Sequence, residues 1–366
     1  MKNKILLFIS LFFILASCQE KKENQIRVMC NLPMTGYVGV YGDWLKSGIN
    51  MSLQQNEKKL IDNGLDIDVI FDDNRGENKD AITILKKQML DEPDIIISGL
   101  TGQSMAIADQ VTASKIPHFL FSFTPLILEE GKYQFRAFAN FGVEVEHYIN
   151  FIKQKKVNKV ALIYLDIVGA TQQANEVIIP FLKKDYSNVE ILNEQYPVSL
   201  MDFKSIANKV KALNPDAIIV NGFAGNLISL IKTFHQNQID MSKMMCSMDL
   251  LDTTNDLSKE LLDGISVTAP AFVISTKQTE NMRLWKEAYM KKHQGQNPAY
   301  TEAYAFDMMN IICEASINVK KMSKDMTSSL LEINMEGVTG PLKFAQNGEL
   351  YPNMYTVKFK DGELIE

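Results

Sequence analysis

Metal-binding and redox residues are scarce in this chain. Of 366 residues, four are Cys and four are His. Cys18, Cys30, Cys246 and Cys313 stand far apart with no C-x-x-C, and His118, His147, His235 and His293 form no H-x-x-x-H or H-E-x-x-H. Metal-ligand spacing is missing, so no metal site is expected. There is no G-x-S-x-G elbow and no defensible nucleophile–base–acid set, so an enzyme is not expected. Positive charge is also short, with 38 Lys and Arg against 44 Asp and Glu. That balance argues against a nucleic-acid partner, which needs a basic face. After the N-terminal stretch, no segment is apolar enough to cross a membrane, which takes ~20 residues as a helix.

The N-terminal stretch reads as a processing signal over residues 1–17. Lys2 and Lys4 precede an apolar run, Ile5 to Ala16, that is too short for a typical span. It ends in Leu15-Ala16-Ser17-Cys18, which resembles the bacterial lipoprotein box. There Cys18 becomes the lipidated first residue, its sulfur taking the lipid, and the protein is anchored to a membrane of the cell envelope. A plain secretory peptide that happens to carry a Cys is the alternative. Residues 18–25, with the polar run QEKKENQ, read as a tether. Without Lys2 and Lys4 the chain carries 36 Lys and Arg, a net charge near −8. Cys30, Cys246 and Cys313 then remain. An odd, low count argues against a disulfide framework and for core thiols, with one bridged pair left open.

The rest is long enough for two domains. The stretch DIIISGLTGQSMAIADQ, Asp94 to Gln110, shows how they are built. Ile95-Ile96-Ile97 is a β-branched run suited to a strand buried on both faces. Gly99, Thr101 and Gly102 make a turn, and a helical pattern resumes at Ser104. Such a loop sits at the carboxyl end of a strand and the amino end of a helix, where an anion is favoured. Around it the chain reads as strand (26–33), glycine-rich loop (35–43), helix (44–57), strand (65–71), helix (79–90), strand (95–97) and strand (118–122). This βα alternation signals a parallel, doubly wound sheet.

The pattern then starts again. Helices are expected at 143–154, 170–184, 203–213 and 226–237. Strands are expected at 159–164, 189–194, 216–220, 243–247 and 264–272. Two long helices follow, 280–293 and 301–319, and then closing strands at 337–344 and 355–359. The fold class is therefore α/β with two similar units. Gly36, Gly39 and Gly42 invite a dinucleotide reading with Asp72 as the ribose acid, but their spacing is G-x-x-G-x-x-G, and Asp72 comes about thirty residues on rather than ~20. No cofactor is expected.

Several loops, taken in order, resemble one family. LPMTGYVGVYGDWLKSGINMS (Leu32 to Ser52), FDDNRGENKDAI (Phe71 to Ile82), ISGLTGQSMAIAD, HFLFSFTP and GVTGPLKFAQNGE (Gly337 to Glu349) are similar to the branched-chain amino-acid-binding proteins of ABC transporters, the type I periplasmic binding proteins. The resemblance covers everything after the tether. It implies two Rossmann-like lobes joined by three crossovers near 136–140, 268–272 and 336–340, with a ligand cleft between them. The lobes would comprise 26–138 with 270–337, and 139–269 with 338–366. It also implies a small amino-acid-like ligand, closure by hinge motion and an ABC transporter permease as partner. A sensing lipoprotein of the same fold, or a binder of an amide, a urea or an aromatic carboxylic acid, are the alternatives.

The resemblance also places the ligand. Family members hold an amino acid's carboxylate and ammonium with the third and fourth βα loops and an acidic residue from the other lobe. Here the third loop offers Thr101, Gly102, Gln103 and Ser104, with Gly102 standing where the family often has a hydroxyl. The fourth offers Ser122, Phe123 and Thr124. Tyr41 matches the family's cleft Tyr. Asp249 stands where an acid faces the ammonium, and an N-cap for the stretch from Leu250 is its alternative role. Asp166 is the second acidic candidate. Phe223 holds an aromatic position, Val168 is aliphatic where an aromatic is common, and Tyr300 opens a late helix.

Overall fold

The computed structural model describes residues 24–124, 128, 132–186 and 188–366. The expected signal, Cys18 and most of the tether lie outside the described residues. The first strand, β1 (Gln25–Leu32), starts on the last residue assigned to that tether.

In chain order the first unit runs β1, α1 (Gly39–Asp62), β2 (Asp66–Asp73), α2 (Asn78–Gln88), β3 (Ile95–Gly99), α3 (Thr101–Ala113), β4 (His118–Phe121) and β5 (Gln134–Phe135). Its strands form a five-stranded sheet ordered β2-β1-β3-β4-β5, with every pair parallel. Side chains alternate in β1 and β3, so Val28, Cys30, Ile95 and Ile97 enter one core while Met29 and Ile96 enter another. Both faces are covered, which is why Ile95–Ile97 of β3 is apolar without a break. Each buried Ile contributes roughly 1.5–3 kcal/mol.

The second unit runs α4 (Phe141–Gln154), β6 (Lys159–Leu165), α5 (Val168–Gln172), a π-helical stretch at Gln173–Ile178, α6 (Ile179–Asp185), β7 (Glu190–Tyr196), α7 (Lys204–Leu213), β8 (Ala217–Asn221), α8 (Ala224–Gln236), β9 (Met244–Cys246), α9 (Lys259–Leu262) and β10 (Ser266–Pro270). Then come α10 (Glu280–Lys292), α11 (Tyr300–Met322), α12 (Met326–Leu331), a hairpin of β11 (Asn334–Glu336) and β12 (Pro341–Lys343), and finally β13 (Met354–Lys360) and β14 (Glu363–Ile365). The second sheet is ordered β14-β13-β10-β9-β8-β6-β7. Its parallel part, β7-β6-β8-β9-β10, repeats the order of the first sheet. In each sheet the order reverses beside the unit's first strand, and loops at the carboxyl ends diverge there to leave a crevice.

The chain passes between the two sheets after β5, after β10 and before β13. The first and third passages lie side by side, with the Arg136 N–H donating to the Gly348 carbonyl at 2.9 Å and the Leu350 N–H donating to that of Arg136 at 3.0 Å.

Three sequence expectations need correction. Residues 337–344 do not form one strand, because Gly337–Gly340 is the turn of the β11–β12 hairpin, closed by Gly337 N–H on the Gly340 carbonyl at 2.8 Å. Gly340 takes φ +126°, a conformation that suits glycine. This turn is held by α11, whose Asp307 carboxylate accepts the N–H groups of Val338 (3.0 Å) and Thr339 (2.7 Å) and the Thr339 hydroxyl (2.6 Å). Residues 338–343, read as part of the second lobe, thus lie on α11, and the third passage comes after Gly348 rather than at 336–340. Finally, α1 starts at Gly39, so Tyr41 sits on the first helical turn and not in a loop. A Cβ at Gly42 would stand 2.3 Å from the Pro33 carbonyl, so the glycine serves the close return of this turn onto β1.

Cys30, Cys246 and Cys313 are buried free thiols. Among the described residues, no helix is long and apolar enough to cross a membrane, and no cluster of His, Cys, Asp and Glu could hold a metal ion.

Candidate ligand-binding cleft

The carboxyl ends of both sheets open onto one cavity of about 360 Å³. From the first unit come Tyr37, Val38, Tyr41 and Leu45 after β1, Arg75 to Glu77 after β2, Leu100 to Gln103 after β3, and Phe121 and Phe123 at the end of β4. From the second come Ile167 and Val168 after β6, Val198 after β7, Phe223 after β8 and Asp249 after β9. Phe138, in the first passage, and Tyr300 and Thr301, at the start of α11, close the remaining side. The volume falls at the small end of ligand sites, roughly 300–1,000 Å³.

One wall is built by the start of α3. Leu100 takes φ 67°, ψ 150°, which turns the chain abruptly from strand to helix. The first helical bond runs from Ser104 N–H to the Leu100 carbonyl at 3.0 Å. Helix geometry gives the N–H groups before it, on Thr101, Gly102 and Gln103, no partner within the helix, and a helix start favours an anion. Gly102 leaves no side chain over them. A Cβ there would stand 3.1 Å from Asn78 Oδ1. The Thr101 hydroxyl oxygen accepts from the Phe123 N–H (3.2 Å) and the Ser122 hydroxyl (3.3 Å), tying the third loop to the fourth. Gln103 donates to Asn78 Oδ1 at 3.1 Å and also to the Gly76 carbonyl, tying it to the second.

Asp249 belongs to a 3-10 turn, Met248–Thr253, directly after β9. Its Oδ1 accepts from the hydroxyls of Tyr41 (2.8 Å) and Tyr300 (3.2 Å), and the Tyr41 oxygen in turn accepts from the Ala224 N–H at 3.2 Å. Burial pushes the Asp249 carboxyl up to about 7, the Glu144 charge adds to this, and the hydroxyls of Tyr41, Tyr300 and Ser247 oppose it. Asp252, one turn on, is raised by burial and then by Asp249. It accepts the Tyr300 N–H at 2.5 Å and the Thr301 hydroxyl at 2.9 Å. Glu144 is raised by burial and is held by the Gln173 amide (2.9 Å) and the Met248 N–H (2.8 Å). In all three, burial is the largest cause of the shift.

Six of the nine ligand candidates read from the sequence meet at this cavity: Tyr41, Thr101, Gly102, Phe223, Asp249 and Tyr300. Val168 lines it too. Ser104, Ser122 and Thr124 do not. Three positions after Thr101, Ser104 turns to the sheet side of α3, where its hydroxyl meets Ser98 at 2.7 Å, and Ser98 meets His118 Nε2 at 2.7 Å. Ser122 and Thr124 direct their carbonyls to the Arg136 guanidinium. Asp249 does not act as an N-cap, since its carboxylate faces two tyrosines. Asp166 is exposed and accepts from Gln195 at 2.7 Å, away from the cavity. The sequence reading did not pick out Phe138, which stacks on Tyr300 at 5.8 Å and meets Phe123 edge-on at 5.0 Å. An aromatic inside an expected crossover was its signal. Leu100, Ile167 and Val198 gave none, being single apolar residues in loops.

A pair of repeated α/β lobes with one cavity between their strand ends is the architecture of a two-lobed cleft protein. The sequence profile of the family described as periplasmic binding protein matches residues 25–363, and the chain belongs to that family. Solved structures agree in fold. The branched-chain amino acid transporter substrate-binding protein LivJ from Streptococcus pneumoniae, in complex with isoleucine, is 18% identical with TM-score 0.77, the match covering 93% of this chain and 97% of that one. An ABC transporter solute-binding protein from Rhodopseudomonas palustris, in complex with 3,4-dihydroxybenzoic acid, is 22% identical with TM-score 0.79, covering 93% and 95%. The leucine-binding protein LivK from Thermotoga maritima is 18% identical with TM-score 0.76, covering 93% and 97%. Family members are binding proteins, and membership implies an extracytoplasmic place.

Proposed function

We propose that this chain is an extracytoplasmic substrate-binding lipoprotein of an ABC-type transporter. It captures an amino acid or a closely related small carboxylate by lobe closure, without covalent chemistry. The observation that carries this reading is the pairing of two walls. The start of α3 favours a carboxylate, and Asp249 offers a buried acid whose Oδ1 is met by two hydroxyls rather than by a cation. A buried carboxylate is costly until a cation meets it. A zwitterion supplies both partners, and its apolar part fits the rings of Phe123, Phe138 and Phe223. Tyr41, Thr101, Gly102, Phe223, Asp249 and Tyr300 touch the ligand in this reading, while Ser104, Ser122 and Thr124 hold the loops.

A second reading is favoured by the rings themselves. Tyr37, Tyr41, Phe121, Phe123, Phe138, Phe223 and Tyr300 all line the cavity, and Asp249 already accepts two hydroxyls. An aromatic carboxylic acid would use the same α3 wall and need no ammonium.

Thermal midpoints of residues 25–366 with L-leucine, L-phenylalanine, benzoate and 4-hydroxybenzoate separate the two. A ligand at ~100 times its dissociation constant adds roughly 2.7 kcal/mol, a shift of several degrees at roughly 2–4 °C per kcal/mol. A shift from the amino acids supports the first reading, and one from the aromatic acids alone supports the second. Silence from both classes, carried through to other amino acids and their amides, overturns both.

The lipid anchor rests on Lys2, Lys4, the apolar run and Cys18. Expression of the full chain in bacteria fed radiolabelled palmitate tests it. Label should enter the parent and be lost in Cys18→Ala, and an unlabelled parent overturns the anchor.

A further inference from the structure

Tyr41 occupies both polar groups that the second lobe turns toward it. Its hydroxyl donates to Asp249 Oδ1 at 2.8 Å and accepts from the Ala224 N–H, at the start of the 13-residue α8, at 3.2 Å. A phenol has one proton to give, and that proton is committed to Asp249. The ring is buried, edge-on to Trp44 at 5.2 Å and tilted against Phe223 at 5.3 Å. Tyr41 stands on α1, which belongs to the first sheet's side, while Asp249, Ala224 and Phe223 follow strands of the second. The two hydrogen bonds and the Phe223 contact therefore all cross the cleft.

We infer that Tyr41 is a lobe clamp that stands in for a ligand's amino group and so sets which ligands the closed cleft accepts. This rests on the binding reading above and goes beyond it in assigning a specificity-determining residue. The two cross-cleft bonds form with any ligand that allows closure, whether or not it carries an amine. A ligand ammonium reaching Asp249 must share that carboxylate with two tyrosine hydroxyls, or displace one. The clamp thus lowers the advantage an amine would otherwise bring and admits plain carboxylic acids. Without the Tyr41 hydroxyl, closure leaves Asp249 one donor short and the Ala224 N–H unmatched, and a ligand amine can replace only the first.

The test is Tyr41→Phe, which keeps the ring on Trp44 and Phe223. Two probe pairs differ only in the amine: L-phenylalanine with 3-phenylpropionate, and L-leucine with 4-methylpentanoate. Calorimetry on parent and variant gives the amine-to-acid affinity ratio for each pair. We expect it to rise at least 10-fold in Tyr41→Phe, mainly through weaker binding of the acid. A second measurement needs no ligand. In residues 25–366, which leave out Cys18, spin labels on Lys58→Cys in α1 and Lys209→Cys in α7 report the lobe separation by electron–electron resonance, because Cys30, Cys246 and Cys313 are buried. Tyr41→Phe should move that distance distribution toward longer separations. An unchanged ratio overturns the proposal even where a probe binds. If no probe binds, the binding reading fails for these ligands, and the distance measurement decides the clamp: a shift supports it, and an unchanged distribution overturns it.

Discussion

Tyr300 is held at both ends by carboxylates from a single turn. Its backbone N–H donates to Asp252 Oδ1 at 2.5 Å, and its hydroxyl donates to Asp249 Oδ1 at 3.2 Å. The first bond caps α11 from the second lobe, with Thr301 adding its hydroxyl to Asp252 Oδ2 at 2.9 Å. Asp252→Ala should leave a buried N–H and a hydroxyl unpaired and lower stability by about 1–3 kcal/mol. Asp252→Asn, which keeps an acceptor at Oδ1, should lose less. Urea denaturation of the two variants measures the difference. Equal losses would show that the capping geometry does not matter.

Stability should depend on pH through Asp249. Its carboxyl is pushed up to about 7 in the fold, against ~3.9 for a free side chain. The fold therefore holds a proton that the unfolded chain releases. The stability this proton confers is present below ~3.9 and is lost as the pH rises through 7. Glu144 and Asp252 are raised in the same direction. Asp249→Asn removes the titrating group and keeps an acceptor for Tyr41 and Tyr300. From pH 4 to 8 the parent should lose more stability than the variant, with the gap levelling off above 8. Denaturation curves across that range check it, and parallel pH profiles would contradict it.

Local chemistry made some of this legible in the sequence. Ile95 to Ile97 could be read as a strand because a strand covered on both faces is apolar throughout. The resemblance of the loops after such strands to the binding-protein family then pointed to Tyr41, Thr101, Gly102 and Asp249. What failed depended on partners remote in the chain. Ser104 carries the right hydroxyl, but the turn at Leu100 starts α3 at Thr101 and directs Ser104 toward Ser98, which in turn meets His118. Gly39 and Gly42 looked like a loop because their reason is the Pro33–Met34 backbone pressed against them, which no spacing reveals. The G-x-T-G at 337–340 looked like the start of a strand because its anchor, Asp307, lies thirty residues earlier on α11.

Arg136 and Glu349, 213 positions apart, were equally hidden. Arg136 Nε donates to Glu349 Oε1 at 2.8 Å, its Nη2 pairs with Oε2, and its Nη1 reaches the carbonyls of Ser122 (3.0 Å) and Thr124. Both side chains are buried, and they join the first and third passages to the fourth cleft loop. Removing one partner strands the other, so Glu349→Ala should destabilise by about 3–5 kcal/mol. Arg136→Lys should also be costly, since an ammonium cannot reproduce the fork. In a double-mutant cycle, Arg136→Met with Glu349→Met should fall well short of the sum of the single losses. Additive losses, read from chemical denaturation, would mean that the two side chains act independently.

Two glycines should respond to the same substitution with opposite signs. Alanine is the better helix former by about 1 kcal/mol, and Gly48 and Gly225 both lie in helices. Around Gly225 nothing lies within 4 Å of an added Cβ, so Gly225→Ala should stabilise by about 0.4–1 kcal/mol. At Gly48 the added Cβ would stand 2.3 Å from the Glu302 carbonyl oxygen, 2.8 Å from Ala305 Cβ and 2.9 Å from the Phe306 nitrogen. Two of those atoms are backbone of α11, so the helices must separate, at a cost of about 1–3 kcal/mol that outweighs the propensity gain. Thermal midpoints should rise for Gly225→Ala and fall for Gly48→Ala. The second change also bears on the cleft. α1 carries Tyr41 and α11 carries Tyr300, and both hydroxyls meet on Asp249 Oδ1, so forcing α1 from α11 must lengthen one of those bonds. Gly48→Ala should therefore reduce ligand affinity as well as stability, whereas Gly225→Ala should raise the midpoint with affinity unchanged.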